Sequence, residues 1–197
     1  MKQIRPIEMT YGAIFVCLMA IGANITVWFP MLAVPIGGVS VPLSLQTFFA
    51  ILSGLMLGRK LGSLTMVTYT LVGLAGLPVF AGLSAGPMAF VSPTGGFILS
   101  FIFVAYVVGF ISDMNKTGSL LHYSFAAIVG IAINYIIGVF YMYMAMNTWL
   151  NLNISYLLAW SSMIPFLIKD GALAILAAAF MVNLSKRINF SWKTIKN

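Results

Sequence analysis

Residues 119–146 read SLLHYSFAAIVGIAINYIIGVFYMYMAM and contain no Asp, Glu, Lys or Arg. A helix over this stretch would be about 42 Å long, whereas the hydrocarbon core of a bilayer is about 30 Å thick. An apolar run of this length is typical of a membrane-spanning helix. We therefore predict a spanning helix here, and its excess length must be accommodated by tilting, bending or protruding.

The composition of the whole chain extends this interpretation. Of the 197 residues, 61% are hydrophobic and only 7% are charged, whereas a soluble domain carries about 25% charged residues. A soluble globular domain and a disordered chain are both excluded, because too little charged surface remains to face water. The single cysteine, Cys17, has no partner for a disulfide within the chain. The prediction is one membrane domain over residues 1–197, all-α in class.

The length of the apolar runs along the whole chain predicts six transmembrane helices. The first is interpreted as a span rather than a cleaved signal peptide, since its apolar stretch is about 20 residues long and no small-x-small cleavage site follows. The second, third and fourth are short for complete spans. The predicted helices cover residues 9–29, 43–57, 61–77, 95–111, 119–146 and 160–184.

The distribution of positive charge predicts the orientation. Nine of the ten Lys and Arg residues fall on one side of the six-span arrangement, and the three opposite loops contain no charged residue. The positive-inside rule then places both termini in the cytoplasm. The net charge of +7 follows from this topology, so no nucleic-acid partner is expected. The nine basic residues are Lys2, Arg5, Arg59, Lys60, Lys116, Lys186, Arg187, Lys193 and Lys196.

Two outer loops, residues 30–42 and 78–94, differ from ordinary solvent loops. Both lack charge, are rich in Gly and Pro, and still carry many apolar residues. Apolar irregular backbone is tolerated at membrane depth only where protein or a cavity covers it. We expect these loops to re-enter the membrane or to form a lid; a tight, inert turn region is the alternative. The third outer loop, with Trp149 and Tyr156, is typical of an interfacial aromatic belt.

Several classes of enzyme are excluded by what the sequence lacks. There is no Gly-x-x-x-x-Gly-Lys-Ser/Thr phosphate loop, and one histidine, His122, with one cysteine does not make a usual zinc site. No Ser/His/Asp set is available, because His122 is placed at the cytoplasmic end of helix five and Asp170 in the outer half of helix six. The chain is not expected to be an enzyme, and neither a metal nor a cofactor is expected.

Lys169 and Asp170 are the only charged residues inside a predicted span. A charge at the centre of a spanning helix costs about 2.5–3.5 kcal/mol on insertion scales, and such residues usually face a cavity and mark a functional site. Adjacent residues point about 100° apart on a helix, so the two need not pair with each other. We predict that both bind a substrate in the outer half of the membrane, and a structural ion pair is the alternative.

Other polar residues are weaker candidates for the same site. Asn134 lies midway along helix five, where it either binds a substrate or forms an interhelical hydrogen bond. Gln46 opens helix two beside an outer loop and is a candidate ligand contact, while Ser44 is placed to cap that helix. Tyr135, like Tyr69, either faces the site or packs in the core.

Helix one carries small residues on one face: Ala13, Cys17 and Ala20. Small residues on one helical face let another helix approach closely. This face either packs within the chain or docks a separate membrane subunit, and the sequence leaves both alternatives open.

Four short motifs resemble those of one membrane protein family. They are residues 42–47 (PLSLQT), 73–80 (GLAGLPVF), 93–96 (PTGG) and 165–167 (PFL), the last shortly before Asp170. In this order and at this length, the chain resembles the biotin-specific S components (BioY type) of energy-coupling factor transporters. The resemblance covers nearly the whole chain.

The resemblance implies a six-helix bundle that captures biotin on the outer side of the cell membrane, as a multi-pass protein of the bacterial inner-membrane type. It also implies partners, namely a membrane scaffold subunit and two ATPase subunits, with the small-residue face of helix one as the docking surface. Phe80 and Thr94 lie in the motifs and join the predicted site. The residues predicted to bind substrate are therefore Asp170, Lys169, Gln46, Phe80, Asn134, Tyr135 and Thr94.

Two departures from the family pattern concern the ligand. Many members carry Gly-Asp-x-x-Lys in helix six, where this chain has Lys169 in place of the Gly and Leu173 in place of the Lys. Some members carry a polar or basic residue before the PTGG motif, where residues 80–92 contain no Asn, Arg or Lys. Lipoate, another sulfur ring on a carboxylate tail, is therefore the competing ligand. A self-sufficient channel or secondary transporter is a further alternative, supported only by loose Gly/Pro symmetry.

Overall fold

The structure of the chain is a computed structural model that describes residues 5–29, 31, 33–36, 39–114 and 118–187. Of the basic residues used to predict the orientation, Lys2, Lys116, Lys193 and Lys196 lie outside the described residues, as does Pro30.

Helices make up most of the described secondary structure, and a short hairpin lies between the second and third. A 3-10 turn at Ala81–Leu83 lies between the third and fourth helices. In chain order the elements are α1 (Pro6–Ala23), α2 (Ile25–Trp28), β1 (Ala33–Ile36), β2 (Val39–Pro42), α3 (Gln46–Leu74), α4 (Met88–Val91), α5 (Gly95–Met114), α6 (Leu120–Thr148), α7 (Tyr156–Ser162) and α8 (Ile164–Arg187).

Four helices, α1, α5, α6 and α8, are long and apolar enough to cross a membrane. Large apolar side chains on their outer faces, such as Phe125, Ile136 and Phe140 of α6, are exposed in the isolated chain. In a bilayer those side chains would contact lipid, which explains why the helices are apolar all round. The prediction of a helical membrane protein is confirmed at this level.

Helix α3 consists of two antiparallel arms, residues 46–57 and 59–74. The arms meet at Gly58, whose φ of 76° and ψ of 177° are open essentially to glycine alone. The chain reverses there, because a Cβ on Gly62 would lie 3.0 Å from the carbonyl oxygen of Ser53. The turn lies at the predicted connection between helices two and three, and the Asp113 carboxylate of α5 accepts from its Arg59 N–H at 3.4 Å.

Helix α5 lies at the centre of the described bundle. It packs against α3 on one side and α6 on the other, while α1 flanks α3 and α8 flanks α6. Glycines permit the closest approaches, since a Cβ on Gly54 would lie 2.7 Å from the Ala105 carbonyl oxygen and one on Gly109 would lie 2.4 Å from the Arg59 nitrogen. Helices α3 and α5 therefore approach each other backbone to backbone near the Gly58 turn.

Several boundaries differ from the predicted ones for local reasons. The first helix breaks at Asn24, whose backbone leaves the helical region while its side chain donates to the Ala20 carbonyl at 2.9 Å. The last predicted helix divides into α7 and α8, with Met163 between them. The first outer loop forms the β1–β2 hairpin, in antiparallel register with Val34 opposite Val41.

The prediction that Ser44 caps the second helix is wrong. Leu45 occupies the cap position of α3, and no side chain makes a capping hydrogen bond there. The Leu45 N–H instead donates to the Gly22 carbonyl of α1 at 2.9 Å. Ser44 contributes its carbonyl oxygen to another contact, described below.

Candidate functional site

One cavity collects all seven residues predicted to bind substrate. It lies at the end of the bundle away from the Gly58 turn, between the beginnings of α3, α5 and α8, the middle of α6 and the loop before α4. The space between these elements amounts to about 650 Å³, a figure that includes the open region at the mouth of the cavity. The residues that line it are Ser44, Gln46, Thr47, Phe80, Ala81, Ser84, Ala89, Thr94, Phe97, Ile98, Phe101, Asn134, Tyr135, Met163, Phe166, Lys169 and Asp170.

The charged wall of this cavity is formed by Lys169 and Asp170. The Lys169 Nζ lies 2.8 Å from Asp170 Oδ1, and the Tyr135 hydroxyl donates to Asp170 Oδ2 at 2.9 Å. The same ammonium donates to the carbonyl oxygen of Ser44. The two charges therefore do pair, which the spacing on the helix left open, and they also line the cavity.

The exposure of the two side chains differs and suggests how a ligand would meet them. Asp170 is buried, with 4% of its side chain exposed, whereas 25% of the Lys169 side chain is exposed. A buried carboxylate is tolerated because an ammonium and a phenol satisfy it. Both groups keep hydrogen-bonding capacity, since a carboxylate can accept about four hydrogen bonds and an ammonium can donate three.

Aromatic side chains form the apolar walls. Phe80 is packed edge-on between Tyr69 and Phe90, with ring centroids 5.5 and 5.8 Å away. The first glycine of the GLAGLPVF motif makes room for it, because a Cβ on Gly73 would lie 2.1 Å from the Phe80 ring. Phe97 of α5 contacts Tyr135 edge-on at 6.0 Å. These walls suit a compact apolar ring.

Neutral polar groups complete the lining. The Asn134 amide contacts Thr47 of α3 and Ser100 of α5. The Gln46 Nε2 donates to the Tyr69 hydroxyl at 2.8 Å, and that hydroxyl donates to the Val79 carbonyl at 3.0 Å. The Thr94 hydroxyl lies 2.9 Å from that of Ser92. The interhelical role considered for Asn134 is thus observed, and the residue lines the cavity as well.

The sequence reasoning missed several residues of the wall. Thr47 stands inside the PLSLQT motif, and Phe97, Ile98 and Phe101 follow the PTGG motif at helical spacing, so the motifs gave a usable signal for these. Phe166 stands in the PFL motif, whereas Met163 gave no signal that separates it from other apolar residues. The Ser44 carbonyl is a backbone group and has no signature in the sequence.

The small-residue face of α1 is partly uncovered. Ala13 and Cys17 are exposed and Ala20 is half-buried. Packing within the described chain therefore does not account for Ala13 and Cys17. The His122 ring nitrogen lies 2.8 Å from the Ile111 carbonyl oxygen, away from the cavity, which agrees with a structural role.

Comparison with known proteins gives consistent relatives. A model of the BioY family matches residues 1–190. The putative biotin transporter BioYB of Bacillus subtilis strain 168 is 43% identical over 175 residues, which cover 89% of this chain and 86% of that protein. The biotin transporter BioY of Thermotoga maritima is 38% identical over 133 residues, covering 68% of this chain and 72% of that protein. The probable biotin transporter BioY of Pyrococcus horikoshii is 34% identical over 181 residues, covering 92% and 95%.

A solved structure also has a similar fold. It is described as the crystal structure of the S-component for biotin from an ECF-type ABC transporter. The TM-score is 0.68 over 94% of both chains, at 24% sequence identity. At this identity the likeness concerns the fold alone.

Proposed function

This chain belongs to the BioY family, and from that membership we propose that it is a biotin-specific S component, the membrane subunit that captures the vitamin for an energy-coupling factor importer. The observation that carries the proposal is the cavity in which the partly buried Lys169–Asp170 pair faces an aromatic slot. The relatives are named as transporters, in agreement with the expectation that the chain is not an enzyme.

The chemistry of the walls matches the parts of biotin. Biotin has a ureido group, a sulfur-containing ring and a carboxylate tail. Asp170 accepts from a ureido N–H, and Lys169 attracts the carboxylate or donates to the ureido carbonyl. Phe80 and Phe97 cover the apolar ring. Thr94, Gln46, Asn134 and Tyr135 are placed to complete the polar contacts.

We also propose six membrane spans with both termini in the cytoplasm of a bacterial cell, in its plasma membrane. Counting the two arms of α3 separately gives six long helical segments among the described residues. The basic residues support the orientation: Arg59 and Lys60 lie at the Gly58 turn and Lys186 at the far end of α8, all away from the cavity. The cavity then opens on the outer side.

The proposed partners are a membrane scaffold subunit and two ATPase subunits. The exposed small residues Ala13 and Cys17, with Ala20 beside them, offer a face on which a partner helix can approach closely. ATP would be hydrolysed by the partners, because this chain has no phosphate loop.

The deciding experiment is equilibrium binding of labelled biotin to the purified chain in detergent, with unlabelled biotin or lipoate as competitor. We expect saturable binding without ATP that biotin displaces and lipoate does not. Displacement by lipoate would mean that the proposed ligand must be changed from biotin to lipoate. The absence of biotin binding would refute the capture role. Biotin flux in liposomes that hold this chain alone would instead support a self-sufficient transporter.

A further inference from the structure

Asn134 lies at the junction of three helices and lines the cavity. Only 1% of the residue is exposed. Its Oδ1 lies 2.6 Å from the Ser100 hydroxyl of α5, and its Nδ2 lies 3.3 Å from the Thr47 hydroxyl of α3. Ser100 is fully buried and does not line the cavity, so it holds the amide from behind. The amide is fixed at both of its polar atoms.

The hydrogen bonds around this amide leave one N–H without a partner. The Ser100 hydroxyl has a single proton and two acceptors within reach, Asn134 Oδ1 and the Phe97 carbonyl at 2.7 Å. If Ser100 donates to Oδ1, one amide N–H goes to Thr47 and the other is left over. If the amide is rotated by 180°, one N–H goes to Ser100 and the other is again left over. In the orientation that the structure shows, no acceptor among the described residues contacts the second N–H.

An unsatisfied N–H in an apolar cavity is costly, and it is satisfied once a ligand supplies an acceptor. Other donors in the cavity are less well placed for this task. The Lys169 ammonium already contacts the Ser44 carbonyl and Asp170. The Gln46 amide is held at one atom only, by Tyr69, and its orientation is less constrained.

We propose that Asn134, oriented by Ser100 and Thr47, is the specificity-determining donor for the ring of the ligand and binds the ureido carbonyl oxygen. The inference rests on the proposed function. It leaves Asp170 as the acceptor for a ureido N–H. It also gives the ligand a polar contact that residues 80–92 do not offer, because they contain no Asn, Arg or Lys. A site built to hydrogen-bond one group discriminates against a ligand that lacks it.

The test compares Asn134→Leu, which removes the amide but keeps the branched shape of the side chain, with the control Ser53→Ala. The control removes another buried hydrogen-bonding side chain of the bundle, whose hydroxyl donates to the Ala50 carbonyl of its own helix and does not line the cavity. We expect biotin affinity to fall at least tenfold in Asn134→Leu and less than threefold in Ser53→Ala, measured by equilibrium binding and accompanied by thermal unfolding of each variant. A fall of less than tenfold in Asn134→Leu, or an equal fall in both variants, would overturn the proposal.

A second variant tests whether the Asn134 N–H is the group that recognises the ureido carbonyl oxygen. Asn134→Asp keeps the shape but replaces the N–H group with an acceptor oxygen. The probe is 2-iminobiotin, in which an imino N–H replaces the ureido carbonyl oxygen. We expect the ratio of biotin to 2-iminobiotin affinity to fall at least tenfold relative to the unmodified chain, an effect that a merely structural asparagine would not produce. An unchanged ratio contradicts the assignment, whereas failure of the unmodified chain to bind biotin contradicts the proposed function instead.

Discussion

Asp170 is 3% exposed in the cavity wall, and its carboxylate meets an ammonium on one oxygen and a phenol on the other. This arrangement explains how a charge is tolerated in a spanning helix. It also holds the carboxylate in a fixed direction, because contacts from α6 and from Lys169 restrain both oxygens. A fixed acceptor is what recognition of an N–H group in an apolar slot requires.

Asp170→Asn removes the charge and leaves Lys169 without its carboxylate partner. Hydrogen bonds to charged groups contribute about 1.5–3 kcal/mol, so we expect biotin to bind about 10- to 100-fold more weakly. Equilibrium binding in detergent measures the effect. Unchanged affinity in a folded variant would remove Asp170 from the site.

The position of Lys169, directly before Asp170 and not three residues after it as in the family pattern, provides a related prediction. Lys169→Gly alone should weaken binding, since both the contact with Asp170 and the contact with the Ser44 carbonyl are lost. Adding Leu173→Lys places a base three residues after Asp170, on a neighbouring position of the helix face. We expect the double variant to bind biotin more tightly than Lys169→Gly does. Equal affinity of the two variants would mean that Lys169 has a role a base at position 173 does not replace.

Gly73 is the residue that makes room for the Phe80 wall. A Cβ there would lie 2.1 Å from the ring, so Gly73→Ala should displace Phe80 and destabilise the fold by about 1–3 kcal/mol. Gly171→Ala is the matched control, because a Cβ at that helical glycine beside Asp170 meets nothing within 4 Å. Thermal unfolding and biotin binding of both variants check the prediction. Equal behaviour of the two would contradict the packing argument.

Among the elements, α3 depends most on a single turn. The arms on either side of Gly58 bring Gln46 back against Tyr69 and so position the first wall of the cavity. The same turn places Arg59 against α5, where the guanidinium lies 5.6 Å from the centre of the Phe110 ring. The position of Gln46 at the cavity and the packing of Arg59 against α5 at the opposite end therefore both depend on the turn at Gly58.

Gly58→Ala tests this dependence. An alanine at a φ of 76° and ψ of 177° is strained, and the expected loss is about 1–3 kcal/mol of unfolding free energy. Thermal unfolding in detergent gives the readout, with Gly171→Ala again as the unstrained control. If Gly58→Ala unfolds at the same temperature as the unmodified chain, the turn tolerates a side chain and the argument fails.

At the scale of the whole molecule, the proposed orientation rests on basic residues at one end of the bundle and on loops without charged residues at the other. With Cys17→Ser as background, the exposed positions Met114 and Thr148 report on the two ends of the bundle. We expect a membrane-impermeant maleimide to label Thr148→Cys in intact cells and Met114→Cys only after permeabilisation. The reverse pattern would invert the proposed topology.

The docking face makes a separate prediction. Ala13→Leu enlarges an exposed side chain of α1 that does not line the cavity, so biotin binding should be unchanged while uptake with the partner subunits falls at least tenfold. Ala172→Leu, at an exposed alanine of α8, is the control and should affect neither. Uptake of labelled biotin in cells decides the outcome, and normal uptake in Ala13→Leu would move the docking surface elsewhere.

What the sequence by itself determined is what depends on neighbouring residues along the chain. Apolar runs predicted helices in a membrane, basic residues predicted an orientation, and the isolated Lys169–Asp170 pair predicted a site, because each signal comes from local composition and the cost of burying charge. The family resemblance added Phe80 and Thr94 to the predicted substrate-binding residues, although the motifs do not show what these residues contact. Gly73 shows the reason for one of these motifs only when the Phe80 ring is seen against it.

The tertiary structure alone decided which of these groups meet. Lys169 contacts a carbonyl 125 positions away in the chain, and Asn134 joins Thr47 to Ser100 across three helices. The β1–β2 hairpin depends on pairing between strands, whereas the sequence indicated only a loop rich in Gly and Pro. Such contacts depend on how the helices cross and on which face of each helix turns inward. A helix that is apolar all round has no hydrophobic periodicity in its sequence that would mark its inward face.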